Sequence, residues 1–128
     1  MISVMADDRH RGLVRGLVDF ALNQDIAEEI KAQYRVLEVD PMCADAHMNL
    51  GILFYSQGRI EDSLCEFLMS IECDPSQARP YRKLGEVYVG LGDYAQAAMY
   101  ARMAAERGDS KLLEAFERYP RVLSSQTR

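Results

Sequence analysis

Little in this chain would break a helix. Its 128 residues include only four prolines and eight glycines, while alanine, leucine, glutamate and arginine, all good helix formers, are plentiful. Long hydrophobic runs are missing as well: no stretch approaches the roughly 20 apolar residues needed to cross a bilayer. The opening residues, Met1 to Asp8, lack the basic leader and apolar stretch of a signal peptide, and Met5 is an alternative start. The three cysteines (Cys43, Cys65 and Cys73) are odd in number and have no paired-motif spacing. That suits a reducing compartment better than a disulfide framework, so the expected location is the cytoplasm. Excess positive charge is also lacking. A net charge of −5 favours solubility and argues against general affinity for nucleic acid or anionic membrane. What remains is an ordinary globular balance, 48% hydrophobic and 27% charged, in a chain long enough for one domain.

The chain matches itself at an offset of 34 residues. Ala44 aligns with Ala78, Leu50-Gly51 with Leu84-Gly85, Phe54 with Tyr88, Gly58 with Gly92, and Ser63 with Ala97. In the other direction Asp74-Pro75 falls on Asp40-Pro41. A period of this length marks stacked structural repeats. His47, Leu50 and Phe54 recur at helical spacing, so one face of a helix is buried. Gly51 and Gly85 lie inside such helices, where glycine costs about 1 kcal/mol against alanine. Close approach of a second helix compensates. Gly58 and Gly92 stand where a left-handed residue ends a helix. Asp93 with Gln96, and Asp25 with Glu28, have capping-box spacing at the start of the next helix. Small residues (Ser63, Ser70, Ala97, Ala104) let paired helices nest, and the Asp-Pro pairs end the second helix of each pair.

This pattern resembles the tetratricopeptide repeat family. The match runs through His47, Leu50-Gly51, Phe54, Gly58, Ser63, Phe67, Ser70 and Pro75, then through Tyr81, Leu84-Gly85, Tyr88, Gly92, Ala97, Ala101 and Ala104. Gly108-Asp109 stands where the second copy would have Asp-Pro. A degenerate copy precedes these two, with Gly16-Leu17 in reversed order, Gln24 in place of the turn glycine, and Glu29 and Gln33 at places usually small or aromatic. Asp25 and Asp40-Pro41 set its register. The resemblance implies an all-α, right-handed superhelical solenoid of antiparallel helix pairs, with about seven helices. The expected single domain spans 8–119: repeat 1 at about 10–43, repeat 2 at 44–77, repeat 3 at 78–109 and a capping helix at 110–119. Residues 1–7 and 120–128 are expected to be flexible termini. The capping helix carries Leu112, Leu113, Phe116 and Tyr119 on one face, closing the core of the last repeat.

In the family, partner peptides lie along the concave wall formed by the first helix of each pair. The positions carried over are Arg11, Val14, Arg15, Val18 and Leu22; Asp45, Met48, Asn49, Ile52, Tyr55 and Ser56; and Arg79, Arg82, Lys83, Glu86 and Val89. Five basic residues against two acidic ones imply a basic groove on an acidic body, suited to an acidic or amphipathic peptide. The expected role is an adaptor or co-chaperone-like module that holds a protein partner; the alternative is a self-assembling scaffold built by repeat stacking. Asn49, Arg79 and Lys83 match three places of the carboxylate clamp of co-chaperone domains, but Val14 and Val18 replace the other two. A looser acidic-peptide groove fits better. No enzyme, cofactor or metal is expected. His47 lies on the buried stripe, and Cys43, Cys73 and His47 lack zinc-site spacing. Glu28-Glu29 and Glu61-Asp62 are adjacent pairs that point apart on a helix. Seven methionines, Met99 and Met103 among them, read as adaptable core filler.

Overall fold

In the computed structural model the backbone is described for residues 3–120 and the side chains for residues 14–120. Six helices account for the described residues: α1 (Ser3–Val39), α2 (Ala44–Ser56), α3 (Ile60–Cys73), α4 (Ala78–Gly90), α5 (Tyr94–Glu106) and α6 (Lys111–Arg118). The fold is all-α. Helices α2 and α3 form one hairpin and α4 and α5 a second; α1 packs on α2, α3 on α4, and α6 on α5 and α4. Each element therefore meets chiefly its sequence neighbours, the hallmark of a linear repeat stack.

The glycines explain how tightly each hairpin closes. A Cβ at Gly51 would stand 2.5 Å from the Phe67 ring, and one at Gly85 would meet Leu112 and stand 3.3 Å from the Ala97 carbonyl oxygen. Only a bare Cα admits those neighbours. The crossing points beneath are small and sealed: Ser63, Ser70, Ala97, Ala101 and Ala104 have no exposed surface. Gly58 and Gly92 end α2 and α4 at φ +75° and +76°, a conformation that costs residues with a Cβ about 1–2 kcal/mol. Asp93 then caps α5, its carboxylate accepting from the Gln96 amide at 3.2 Å. Two apolar clusters result, one around Met48, Phe67, Leu84 and Val87, the other around Ala97, Ala101 and Phe116. Arginines brace the outside, Arg59 over the Phe54 ring at 4.2 Å and Arg107 over Tyr81 at 4.0 Å.

His47 is 8% exposed, and its ring nitrogens lie 2.7 Å from Glu66 Oε2 and 3.1 Å from the Pro41 carbonyl oxygen. It ties α2 to α3 and to the preceding loop. The Ser63 hydroxyl, also buried, finds no hydrogen-bond partner among the described residues. Its place in the next repeat is held by Ala97. Because an unpaired buried hydroxyl costs about 1–3 kcal/mol, Ser63→Ala should leave the urea midpoint unchanged or raise it. A fall in the midpoint would show that the hydroxyl is paired.

The expected first pair of helices is a single one. Helix α1 runs unbroken for 37 residues, about 55 Å at 1.5 Å per residue, so the chain has six described helices rather than about seven, and Asp25 caps nothing. Four positions explain the change. Gln24 stands where Gly58 and Gly92 turn the chain, and Leu17 where Gly51 and Gly85 admit a neighbour. Glu29 and Gln33 stand where Ser63 and Phe67 are sealed in the second repeat. Closing a hairpin here would press a leucine into the crossing point and bury a carboxylate, a penalty of several kcal/mol. Continuing the helix leaves Glu29 exposed, where it accepts a hydrogen bond from Gln33 Nε2 at 3.1 Å. Among the described side chains of α1, those from Val14 to Asp25 are exposed and burial begins at Ile26, continuing through Ile30 and Leu37.

Candidate functional site

The residues singled out from sequence separate into three groups. Ile52, Tyr55, Lys83 and Glu86 converge, with Phe67 and Val87, around a cavity of about 160 Å³ between α2, α3 and α4. Phe67 and Val87 form its buried floor, while Tyr55 is 44% exposed. The Tyr55 hydroxyl lies over the end of α4, where a Cβ on Gly90 would stand 3.2 Å away. Lys83 Nζ and Glu86 Oε2, 3.3 Å apart, supply its charged atoms.

A second group sits close by with other duties. Arg82 is an ion-pair hub: its Nε donates to Asp109 Oδ2 and its terminal nitrogen to Glu86 Oε1, both at 2.6 Å. It therefore locks α4 to the turn before α6. Burial alone would raise the Asp109 carboxyl, but the Lys111 amide and the Arg82 guanidinium outweigh it and hold the group below the usual aspartate range. Asn49 is half-buried and donates to Gln33 Oε1 at 3.3 Å, bridging α2 to α1. Met48, 2% exposed, belongs to the core and lines nothing. Arg79 is exposed and makes no ion pair among the described residues.

The third group lies on α1. Arg15 and Val18 are exposed, as are Val14 and Leu22. None of them lines the cavity with Ile52 and Lys83. The Arg11 and His10 side chains, and the tail at 121–128, lie outside the described residues. Of the four basic groove positions among the described side chains, only Lys83 lines the cavity. Around the cavity the positive charge comes from Lys83, with Glu86 shared between Lys83 and Arg82.

Sequence reasoning missed the contribution of Phe67 and Val87. Its signal was available: Phe67 is the residue that Gly51 makes room for, so its ring had to reach the layer between α2 and α4. A second apolar cavity, of about 230 Å³, lies between Val89, Tyr94, Leu112, Ala115, Phe116 and Tyr119. Among the described residues there is no group of three or more His, Cys, Asp or Glu side chains that could hold a metal ion, and no helix long and apolar enough to cross a membrane.

The sequence profile of the tetratricopeptide repeat matches residues 31–78, a span holding the α2–α3 hairpin and the end of α1. Over that span, under half of the chain, the protein is similar to the tetratricopeptide repeat family. It is 25% identical over 99 residues to the TPR repeat-containing thioredoxin TTL4 of Arabidopsis thaliana, an alignment covering 75% of this chain and 14% of that protein. The crystal structure of MamA superposes with a TM-score of 0.60 at 26% identity, over 77% of this chain and 57% of that one. The tetratricopeptide fold is one that supports protein–protein interaction. In this chain the paired helices are α2–α3 and α4–α5, and the profile match begins at residue 31.

Proposed function

We propose that this protein is an adaptor-like module that binds a peptide segment across α2 and α4, with one apolar side chain of the peptide entering the cavity between Ile52, Tyr55, Phe67 and Val87. The cavity itself carries the reading. It measures about 160 Å³, and an apolar cavity of roughly 150 Å³ holds a benzene ring. One leucine or phenylalanine side chain is the natural occupant. Lys83 favours a carboxylate next to that anchor, through charge-assisted hydrogen bonds that are stronger than neutral ones, and Arg79 stands about one helical turn before it on α4. Glu86 competes for Lys83, so the peptide must present its acidic group close by to gain from it. An acidic, amphipathic segment meets both demands.

Fluorescence anisotropy with labelled acidic peptides that differ only in the anchor tests this. An anchor in a desolvated pocket is worth about 2 kcal/mol or more, so leucine or phenylalanine should bind about 30-fold more tightly than alanine. Ile52→Lys should abolish the difference. Equal affinities for all anchors, or unchanged binding by Ile52→Lys, would sink the proposal.

A further inference from the structure

Contacts across the α2–α3 hairpin run antiparallel, from Gly51 against Phe67 through His47 with Glu66 to Ala44 with Ser70, whose hydroxyl donates to the Ala44 carbonyl oxygen at 2.9 Å. The next step in that series is Cys43 with Cys73. Cys43 directly precedes α2, and Cys73 ends α3. Following α3 for three residues past Ser70 advances about 4.5 Å on the same face, in the direction that a step back from Ala44 to Cys43 takes. Both cysteines are free and partly buried, whereas Cys65 is exposed. Their sulfurs also act on each other: burial, then the Glu72 and Asp40 carboxylates, then the Cys43 thiol, push the Cys73 thiol above its ordinary value.

We infer that Cys43 and Cys73 form a dithiol site that exchanges with low-molecular-weight disulfides and closes into a reversible intramolecular bond across the mouth of the hairpin. The bond requires Cα atoms roughly 4.4–6.8 Å apart. Ser70, a small sealed residue one turn away, holds the two backbones close at this end. A Cys43 thiolate attacks one sulfur of the small disulfide, giving a mixed disulfide and releasing one small thiolate. The Cys73 thiolate then attacks the Cys43 sulfur, closing the bond and releasing the second. Each released thiolate takes up a proton that a cysteine has lost. The two cysteines are thus oxidised by two electrons while one small disulfide is reduced to two thiols. Cys73, whose thiol is pushed up, is the poorer first attacker, so Cys43 opens the exchange.

Cys43 follows the Asp40-Pro41 turn and Cys73 precedes Asp74-Pro75, so closure ties the joint between α1 and α2 to the joint between α3 and α4. Oxidation therefore stiffens both passages at once. It also closes a loop of about 30 residues in the unfolded chain, which should favour the folded state on the order of 100-fold or more. Neither cysteine lines the cavity between α2, α3 and α4, so the inference goes beyond the peptide-binding proposal and stands without it.

The test equilibrates the full chain and its Cys65→Ser variant, which lacks the exposed third thiol, in graded mixtures of oxidised and reduced glutathione. Intact mass is read after acid quenching. The Cys65→Ser chain should lose two hydrogen atoms in mass without gaining glutathione, and the full chain should close the same bond. Adding Cys73→Ser to that variant should stop the reaction at a glutathione adduct on Cys43. The equilibrium constant for closure should be on the order of 100-fold or more greater in the folded protein than in urea. By the same linkage the closed form should melt about 10 °C higher, and reduction should restore the original midpoint. Closure no more favourable in the folded protein than in urea overturns the inference, because the native hairpin then does not hold the thiols in bonding geometry. So do glutathione adducts on both cysteines without closure, and so does a closed bond that lowers the melting temperature.

Discussion

Phe67→Ala should cost about 3–5 kcal/mol of folding free energy, the usual loss for a buried phenylalanine, and lower the melting temperature by on the order of 10–20 °C. Phe67 is 1% exposed and joins Met48, Leu84 and Val87 in the central cluster, so no solvent-side rearrangement can relieve its removal. The second half of the experiment is more telling. Gly51→Ala in the otherwise intact protein drives a Cβ to 2.5 Å from the ring. The overpacking, typically about 1–3 kcal/mol, outweighs the gain of about 1 kcal/mol from replacing a helical glycine. In the Phe67→Ala background the obstruction is gone, and the same Gly51→Ala change should stabilise by about 1 kcal/mol. Urea unfolding of the four proteins in a double-mutant cycle checks the sign reversal. The same sign in both backgrounds would mean that Gly51 does not exist to receive that ring.

Arg82 and Lys83 are neighbours in sequence, yet their substitutions should have opposite consequences. Arg82→Met removes the link from α4 to Asp109 and Glu86. Breaking a fully buried pair costs about 3–5 kcal/mol; with the Arg82 and Asp109 side chains 21% and 19% exposed, a loss of about 2 kcal/mol is expected. Peptide affinity, on the proposal above, should change little once the protein is folded. Lys83→Met should do the reverse, leaving the melting curve in place while weakening an acidic peptide about tenfold or more, the worth of one charged hydrogen bond. The Arg82 effect also carries a pH signature. Folding depresses the Asp109 carboxyl below its ordinary value of 3.8, so the stability it contributes is fully present above that value. It is lost as pH falls through the depressed one. The gap between wild type and Arg82→Met should therefore be constant near neutrality and narrow in acid. A gap that persists at pH 2 would place the contribution of Arg82 in packing rather than in the ion pair.

How much of this was written in the sequence depends on the kind of rule each residue obeys. Gly58 and Gly92 obey a local rule, since only a residue without a Cβ takes their φ cheaply, and a repeat offset was enough to find them. Gly51 and Gly85 obey a pairwise one, and the offset found them too. The all-α class follows from both. The unbroken α1 was harder because no single departure forbids a turn. Gln24, Leu17, Glu29 and Gln33 each weaken the hairpin modestly, and only their sum tips the balance toward a continuous helix. The Asp25 cap and the Asp40-Pro41 stop pointed to a normal repeat because both describe helix ends, and neither senses whether a crossing point can close. At the site, Ile52, Tyr55, Lys83 and Glu86 could be brought together from their repeat positions. The Arg82–Asp109 pair could not: its partners are 27 residues apart, outside the repeat offset, and depend on the turn before α6. Met48 went to the core because α3 and α4 both reach it through Phe67 and Leu84, a three-body arrangement that one helix's periodicity does not reveal.

Since each helix leans chiefly on its neighbours along the chain, resistance to opening should be graded along its length rather than uniform. Amide hydrogens of α2 to α5 lie between two supports and should exchange only when a whole hairpin detaches. Those of α1 between Val14 and Asp25, whose side chains are exposed, have helical hydrogen bonds but little packing to protect them, and should exchange faster. Helix α6, eight residues long, depends on Phe116 and on the turn held by Arg82. The molecule thus has a firm middle and two soft ends, and whatever docks at an end will register there as slowed exchange long before it alters the overall melting point.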